Sequence, residues 1–359
     1  MKTPYHGLPA FTRWSKSVAE PSYPDVDPVV AFPWKITGAD KVATAGSCFA
    51  QHIARHLKSN GFDYYVVEDG HPLGDDAQRA QFNYGMFSAR YGNIYTTRQL
   101  TQLFKRAYGS FKPVEDFWTN ETGRFVDPFR PNVEPDGFAS LAEMKADRQQ
   151  HLSKVQEMFE NLSVFVFTLG LTEAWVAKTD GAVFPVCPGV AGGTFDESKY
   201  EFRNFGIGEV IADLNEFLDL LAEVNKSARV ILTVSPVPLI ATAETRHVLV
   251  STTYSKSVLR VACEEIVNAH PHVEYFPSYE IITGSYNRGR YFAEDLRSVT
   301  EDGVGHVMRL FLTHVADGAG VKSAPAPVDD GRDFLRRMTE VVETACEEEL
   351  IEASLTKSA

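Results

Sequence analysis

The stretch Lys41-Val42-Ala43-Thr44-Ala45-Gly46-Ser47-Cys48-Phe49-Ala50 decides the fold class. Its first half is a short apolar run, which indicates a strand that stops at Gly46. Its second half begins a segment in which apolar residues recur at helical spacing as far as Gly61, which predicts a helix. Ser47 is therefore expected at a strand-to-helix junction.

The alternation of strand and helix continues along the rest of the chain. The near-continuous apolar runs 163–169 and 229–234 have the composition of central parallel strands, which are buried on both faces. Shorter strands are predicted at 62–68 and 273–276. Helices are predicted at 97–108, 139–161, 207–224, 252–269 and 300–315. This order predicts an α/β fold with a three-layer, doubly wound and mainly parallel sheet.

The chain of 359 residues divides into three parts. Residues 1–38 are rich in proline and aromatic residues and are expected to form an extended arm on the main domain. Residues 39–320 are expected to form one α/β domain, in which the irregular insertion 109–138 is a possible lid or pocket wall. Residues 328–359 are expected to contain a C-terminal helix, at 334–351, and a tail.

Composition excludes several classes of partner. A formal net charge of −13 and a pI near 5.3 disfavour binding to nucleic acid or to an anionic membrane. The four cysteines lack CxxC spacing, so neither a zinc site nor a disulfide framework is expected. The N-terminal residues lack the apolar run of a signal peptide, and no stretch reaches the ~18–20 apolar residues of a membrane span, so we expect a cytoplasmic protein without a membrane span.

Ser47 has the position of a nucleophile. Gly46 permits a sharp turn, and a hydroxyl that follows it projects from the carboxyl edge of the sheet at a helix N-terminus. The amides of Ser47 and Cys48 would stabilise an oxyanion in that space. Two other interpretations are open: Ser47 caps the helix, or Cys48 is the nucleophile.

The chain resembles the GSCFA family over residues 40–312. The resemblance rests on five motifs in order: Gly46 to Ala50, Thr168 to Gly170, Thr233 to Pro238, Tyr254 to Arg260 and Tyr275 to Glu280. GSCFA proteins are similar to SGNH (GDSL-like) hydrolases and to plant glycan O-acetyltransferases. The resemblance implies a flavodoxin-like sheet and acyl-ester chemistry.

The SGNH motifs imply an oxyanion hole. Gly46 and Ser47 match the first motif, and the backbone amide of Gly92 is the candidate donor from the second, with Asn93 as a further donor. Where the third motif has an asparagine, this chain has Thr172, a shorter donor.

The usual Asp-x-x-His motif lacks its histidine. Asp295 matches the aspartate, but Ser298 stands where histidine is expected. A serine nucleophile needs a base, and His306 is the nearest imidazole. Asp295 or Asp302 would orient it.

Other residues are weaker candidates. His52 and His71 are alternative bases. Possible substrate-binding residues are Asn93, Tyr95, Glu173 and Trp175, and Trp118 and Tyr279 are further aromatic residues. Lys256, Arg260, Arg288 and Arg290 are either binders of an anionic sugar or phosphate, or ordinary solvated charges and ion pairs.

These observations predict an SGNH-like serine esterase or O-acyltransferase. It would act on an acylated carbohydrate, with acetyl as the expected group, through an acyl-Ser47 intermediate, and bacterial surface polysaccharide is the expected context. No metal or cofactor is required; acetyl-CoA is a conceivable acyl donor that no motif indicates. The alternative is a glycan-binding protein without catalysis on the same scaffold. Oligomeric state is left open.

Overall fold

The computed structural model describes residues 3–47, 49–70, 74–317 and 351. The strands of this part of the chain are β1 (Val42–Gly46), β2 (Trp118–Thr119), β3 (Phe125–Val126), β4 (Val164–Leu169), β5 (Glu173–Ala177), β6 (Val183–Phe184), β7 (Tyr200–Asn204), β8 (Arg229–Val234) and β9 (Val273–Tyr275). The helices are α1 (Phe49–Ser59), α2 (Asp76–Gln81), α3 (Thr97–Ala107), α4 (Leu141–Asn161), α5 (Ile207–Val224), α6 (Val248–Ala269), α7 (Ser278–Thr283) and α8 (Glu301–His314). The α/β class predicted from sequence is confirmed.

The central sheet is parallel and has the order β1-β4-β8-β9. Its register brings Gly46 beside Thr168, and Thr168 beside Thr233, at the carboxyl edge. Because parallel strands all end at this edge, the loops after β1, β4 and β8 meet there.

The sheet is covered by helices on both faces, as its alternating side chains require. Phe165, Phe167 and Leu232 pack into the core formed with α3, α4, α5 and α6. Val164 and Val166 point to the other face and pack with α1, α7 and α8. The fold therefore has three layers, and Ser47 lies between β1 and α1 at the edge of the second core.

Two regions differ from the sequence prediction. The predicted strand 62–68 pairs with β1 only through the bridge between Val42 and Tyr64. The cause is that the chain turns away: the Val67 amide bonds to the Ser88 carbonyl, 2.8 Å away, instead of continuing along β1. The segment between β4 and α5, where the sequence analysis predicts no strand, forms the antiparallel sheet β6-β5-β7.

The insertion 109–138 is packed against this second sheet. It contains the antiparallel pair β2 and β3, and a small aromatic core joins the two units. Trp118 and Val126 pack there with Phe184 and Tyr200. The insertion thus forms a wall of the fold; its action as a lid stays a prediction.

The N-terminal arm contacts α8 through the carbonyl groups of Pro24 and Val26. Residues 3–25 contain short helical turns, and Ile36 forms a parallel bridge to Ala316. The Ile36 amide donates to the Val315 carbonyl at 2.7 Å, and the Asp317 amide donates back to Ile36 at 2.8 Å. The C-terminal helix predicted at 334–351 lies outside the described residues, apart from residue 351.

Candidate functional site

Ser47 lies at the junction where the sequence places it. Gly46 ends β1 with φ of 138°, and a Cβ atom there would lie 2.7 Å from Thr168 Cβ, so only glycine fits. The Ser47 carbonyl accepts a hydrogen bond from the Ala50 amide at 2.8 Å, which begins the first turn of α1. Ser47 itself is buried, with 4% of its surface exposed. Cys48, the alternative nucleophile, lies outside the described residues.

Three loops converge on Ser47. The Ile94 amide donates to the Gly46 carbonyl at 2.9 Å, and the Gly170 amide donates to the Tyr95 carbonyl at 3.1 Å. A Cβ atom on Gly170 would lie 3.4 Å from Ser47 Cβ. The structure therefore brings together Ser47, the segment 91–95 and the turn at Gly170, which are the three places that the SGNH motifs imply.

The implied oxyanion donors have different surroundings. Gly92 has φ of 69°, and its amide makes no hydrogen bond to any described residue, which leaves it available to a ligand. Thr172 is already engaged: its hydroxyl donates to Asn204 Oδ1 at 2.7 Å, and its amide donates to Ser255 Oγ at 3.1 Å. Both donors of Thr172 are therefore engaged within the protein, and the part of either residue in an oxyanion hole stays a prediction.

Polar atoms without partners are concentrated near this edge of the sheet. Ser47 Oγ is buried and has no hydrogen-bond partner among the described residues, and the same holds for the side-chain polar atoms of Gln51, Thr168, Thr233 and Ser278. Thr168 and Thr233 are neighbours in the last rows of β4 and β8. Buried polar groups normally have partners, so such a set is typical of a site that receives ordered water or a polar ligand.

Lys256, which the sequence suggests only as a possible binder of an anionic group or as a solvated charge, lies at the Ser47 site. It is 1% exposed, and its Nζ atom donates to the Gly170 carbonyl at 2.7 Å. The lysine therefore contacts the residue that faces Ser47. Its partner in the sequence prediction, Arg260, is instead ion-paired with Glu280 at 2.7 Å and with Glu264 at 2.9 Å. A signal did exist, because Lys256 shares the helical face of the buried α6 residues.

His306 has other partners than Ser47. Its Nε2 atom lies 3.0 Å from the Val26 carbonyl, so it must donate, and Nδ1 then accepts from the Tyr291 hydroxyl at 2.6 Å. Burial, together with Arg309, lowers the pKa of His306 and keeps the ring neutral. Both nitrogens are thus occupied in joining the N-terminal arm to α8, and no hydrogen bond links this ring to Ser47.

Asp295 likewise does not orient His306. Its carboxylate accepts from the Ser298 hydroxyl at 2.6 Å and from the amides of Arg297 and Ser298, both at 2.9 Å. Burial opposes the charged form, but these hydrogen bonds outweigh it and lower the pKa of Asp295. The turn lines an open groove with Pro238 and Leu249. Asp302 is exposed in the first turn of α8.

His52, an alternative base, makes no hydrogen bond to the Ser47 hydroxyl. His52 packs edge-on against Phe49, and its Nδ1 atom is buried without a partner. Burial, with smaller effects from Arg55 and His56, lowers the pKa of His52 to about 3. His71 lies outside the described residues.

The predicted substrate-binding residues divide into two groups. Asn93 and Tyr95 are buried in the segment beside Ser47. Glu173 accepts from the Thr242 hydroxyl at 2.8 Å, and burial raises its pKa. The Trp175 ring packs against those of Phe195 and Phe202, whose centroids are 5.1 and 5.8 Å away, which fixes it in the second sheet.

The other predicted binders have local roles. Trp118 lies in the aromatic core, and Arg290 stands over the Tyr23 ring at 5.3 Å. Tyr279 packs against the core on the α6 side of the sheet. Arg288 takes a left-handed backbone conformation with φ of 54° after a short helical turn.

The chain is thus an α/β protein in which a serine follows the first strand and loops meet beside it at the carboxyl edge of the sheet. Within that class, the model of the GSCFA family matches residues 41–311, and the chain belongs to this family. No curated protein matches the chain. Among the described residues, no helix is both long and apolar enough to cross a bilayer. In the same part of the chain, no His, Cys, Asp or Glu cluster is suited to a metal ion.

Proposed function

We propose that this GSCFA protein is a serine esterase or O-acyltransferase that forms an acyl-Ser47 intermediate, with an acylated carbohydrate, expected to be O-acetylated, as its substrate. The observation that carries the proposal is the placement of Ser47. Its buried hydroxyl has no partner among the described residues, and it lies against Gly170 at the meeting point of three loops. A buried hydroxyl in that state is suited to contact a reacting group.

The sheet order supports an SGNH-like, flavodoxin-like scaffold. The bridge between Val42 and Tyr64 places the segment after α1 beside β1. If this segment is counted as the second strand, the parallel strands lie across the sheet in the order 2-1-3-4-5, which is the order of flavodoxin-like sheets. Ligands bind such sheets where the strand order reverses, and that point lies next to β1 and Ser47.

Lys256 is the base in this proposal, in place of His306. Its Nζ atom contacts the Gly170 carbonyl, on the residue that faces Ser47, whereas both nitrogens of His306 are hydrogen-bonded elsewhere. Burial disfavours the charged form of a lysine, and enzymes use such lysines as general bases.

Ser47, Lys256 and the Gly92 amide supply every protein group that the proposed reaction uses. Ser47 Oγ bonds to the acyl carbon while the neutral Lys256 amine takes the hydroxyl proton. The amide of Gly92 is in reach of this site through the loop 91–95 and would hold the oxyanion. The ester carbon–oxygen bond then breaks, and the Lys256 ammonium returns the proton to the leaving oxygen. Water or a carbohydrate hydroxyl attacks acyl-Ser47 by the same steps in reverse.

Fluorophosphonate labelling, read by intact mass and peptide mapping, tests this proposal. The wild type is compared with Ser47→Ala and with Ser235→Ala, a matched control at a buried serine that follows β8 in the same sheet. We expect one adduct on Ser47 in the wild type and in Ser235→Ala, and none in Ser47→Ala. Short-chain acyl esters would be screened next.

Two further variants test the base. Lys256→Met keeps the length of the side chain without the amine, and we expect labelling to slow by about 100-fold or more. His306→Phe should label at the wild-type rate. Unchanged labelling of Lys256→Met would keep the nucleophile and reject this base. An unlabelled but folded wild type would favour the glycan-binding alternative, which the hydrogen-bonded Asp295–Ser298 turn in place of an Asp–His pair also favours.

A further inference from the structure

A buried arginine near the end of α3 lacks a counter-ion. Arg106 is 8% exposed, and its Nη2 atom is buried without a hydrogen-bond partner. Within the described residues, no carboxylate lies within ion-pair distance of its guanidinium. The guanidinium instead stacks over the Phe129 ring, whose centroid is 3.8 Å from Arg106 Cζ. A buried charge without a partner is costly, so this arrangement calls for an anion.

A second guanidinium is open beside it. Arg130 is 2% exposed; its Nε atom donates to Asp127 at 3.1 Å and its Nη2 atom to Asp147 at 2.7 Å. Its third nitrogen, Nη1, is buried and has no partner. Arg106 and Arg130 line the same cavity, together with Asn93, Gln102 and Val183.

The carboxylates nearby are already used by other cations. Asp127 also accepts from Arg148 Nε at 3.0 Å, and Asp147 also accepts from Arg90 Nη1 at 2.8 Å. Burial, aggravated by Arg148 and Arg130 and only partly relieved by Asp127, lowers the pKa of Arg106 to about 9. Both carboxylates are therefore shared by other arginines, and neither forms an ion pair with Arg106.

We propose that this cavity binds a small carboxylate ion, with its oxygens between the Arg106 and Arg130 guanidinium groups. The planar fork of a guanidinium matches a carboxylate. The cavity, about 20 Å³, exceeds what one water needs but has room only for a group of a few atoms. The cavity is next to the proposed active site along the chain, because Asn93 lines it while Ile94 bonds to Gly46.

This site does not depend on the chemistry of Ser47, so it is tested by binding alone. The probe is sodium acetate, titrated into the full chain at constant ionic strength against sodium chloride, with thermal unfolding and calorimetry as readouts. One bound acetate should raise the unfolding midpoint by about 3–5 °C at 100 times its Kd. Inorganic phosphate, which is bulkier, should give less than a tenth of the acetate affinity.

Variants locate the site. Arg106→Gln should abolish the acetate-dependent shift, whereas Arg203→Gln, at an exposed arginine of β7 that is paired with Glu209 and does not line the cavity, should retain it. In acetate-free buffer, Arg106→Met should unfold at a higher temperature than the wild type, because it removes the uncompensated charge. If Arg106→Gln does not fold, Arg106→Met serves as the binding-deficient variant.

Acetate binding by the wild type and by the Arg106 variants decides whether this cavity is a carboxylate site. Saturable acetate binding that is lost with Arg106 supports the site. Binding of acetate with equal affinity in Arg106→Met, or a wild type that shows no heat and no shift with acetate, overturns it. Preference for chloride or phosphate would overturn the assignment to a carboxylate. None of these results depends on whether Ser47 reacts with a fluorophosphonate.

Discussion

His306 donates a hydrogen bond from Nε2 to the carbonyl oxygen of Val26, 280 positions earlier in the chain, at 3.0 Å. The ring also accepts from Tyr291, so three parts of the chain meet at one imidazole. The only histidine of α8 that is deeply buried thus has a role in holding the arm.

His306→Phe should therefore lower stability rather than block serine chemistry. It leaves the Tyr291 hydroxyl and the Val26 carbonyl without their partner, which costs about 2–4 kcal/mol of the free energy of unfolding. Urea unfolding at pH 7 measures the effect. His314→Phe, which removes a solvent-accessible ion pair with Asp27, is the control and should cost below about 1 kcal/mol. A neutral His306→Phe would show that the arm does not rely on this ring.

Stability should fall in mild acid because of His52. Burial lowers its pKa to about 3 in the folded protein, whereas the unfolded chain titrates near 6.5. Above about pH 6.5 the ring is neutral in both states; below it, protons bind the unfolded state preferentially. His52 alone should remove about 2 kcal/mol between pH 6.5 and 5.

The variant His52→Leu isolates this contribution. Its free energy of unfolding, measured with urea from pH 7.5 to 5, should decline less steeply than that of the wild type. The difference in slope belongs to His52, since the other buried histidines are unchanged. Parallel curves would mean that the ring is protonated in the folded state at pH 5.

Gly46→Ala should disrupt the junction that presents Ser47. The added Cβ would lie 2.7 Å from Thr168 Cβ, and φ of 138° is unfavourable for alanine. We expect a loss of about 3 kcal/mol or more, since neither strand can move freely in the core. Gly38→Ala is the control, because nothing lies within 4 Å of its added Cβ. Thermal unfolding compares them.

Two glycines of α8 should respond in opposite directions. Gly305 has open space around an added Cβ, so Gly305→Ala should stabilise the protein by about 0.5–1 kcal/mol through helix propensity. At Gly303 an added Cβ would lie 2.9 Å from Tyr291 Cβ and 3.0 Å from Ile282 Cδ1, so alanine should destabilise it. Urea unfolding of the two variants tests the packing of α8, and equal shifts would contradict it.

The parts of the fold that were predicted well are those where local pattern decides. The helix 207–224 and the strand 229–234 have the bounds predicted from hydrophobic periodicity. The segment 62–68 has the composition of a strand, but Glu68 is held away from β1, because it accepts from the Arg90 amide at 2.6 Å and contacts His151 at 2.7 Å. Those contacts join residues far apart in sequence, so periodicity could not reveal them.

The site was predictable only in part, for the same reason. Ser47 follows from its strand and glycine, which are local features. Lys256 looks like an ordinary charged position on a helix until α6 packs against the turn at Gly170. The role of His306 depends on where the N-terminal arm lies, which local sequence does not specify.

The bridge between Ile36 and Ala316 extends the folded domain beyond the residues that match the family model. The family match ends at residue 311 and begins at residue 41, yet Ile36 and Val315 are completely shielded from water. A fragment limited to residues 41–311 would expose to solvent the side of α8 that the arm covers. It would also lack the backbone hydrogen bonds that Ile36 makes with Val315 and Asp317. A chain that lacked the arm would have to cover this side of α8 by other means.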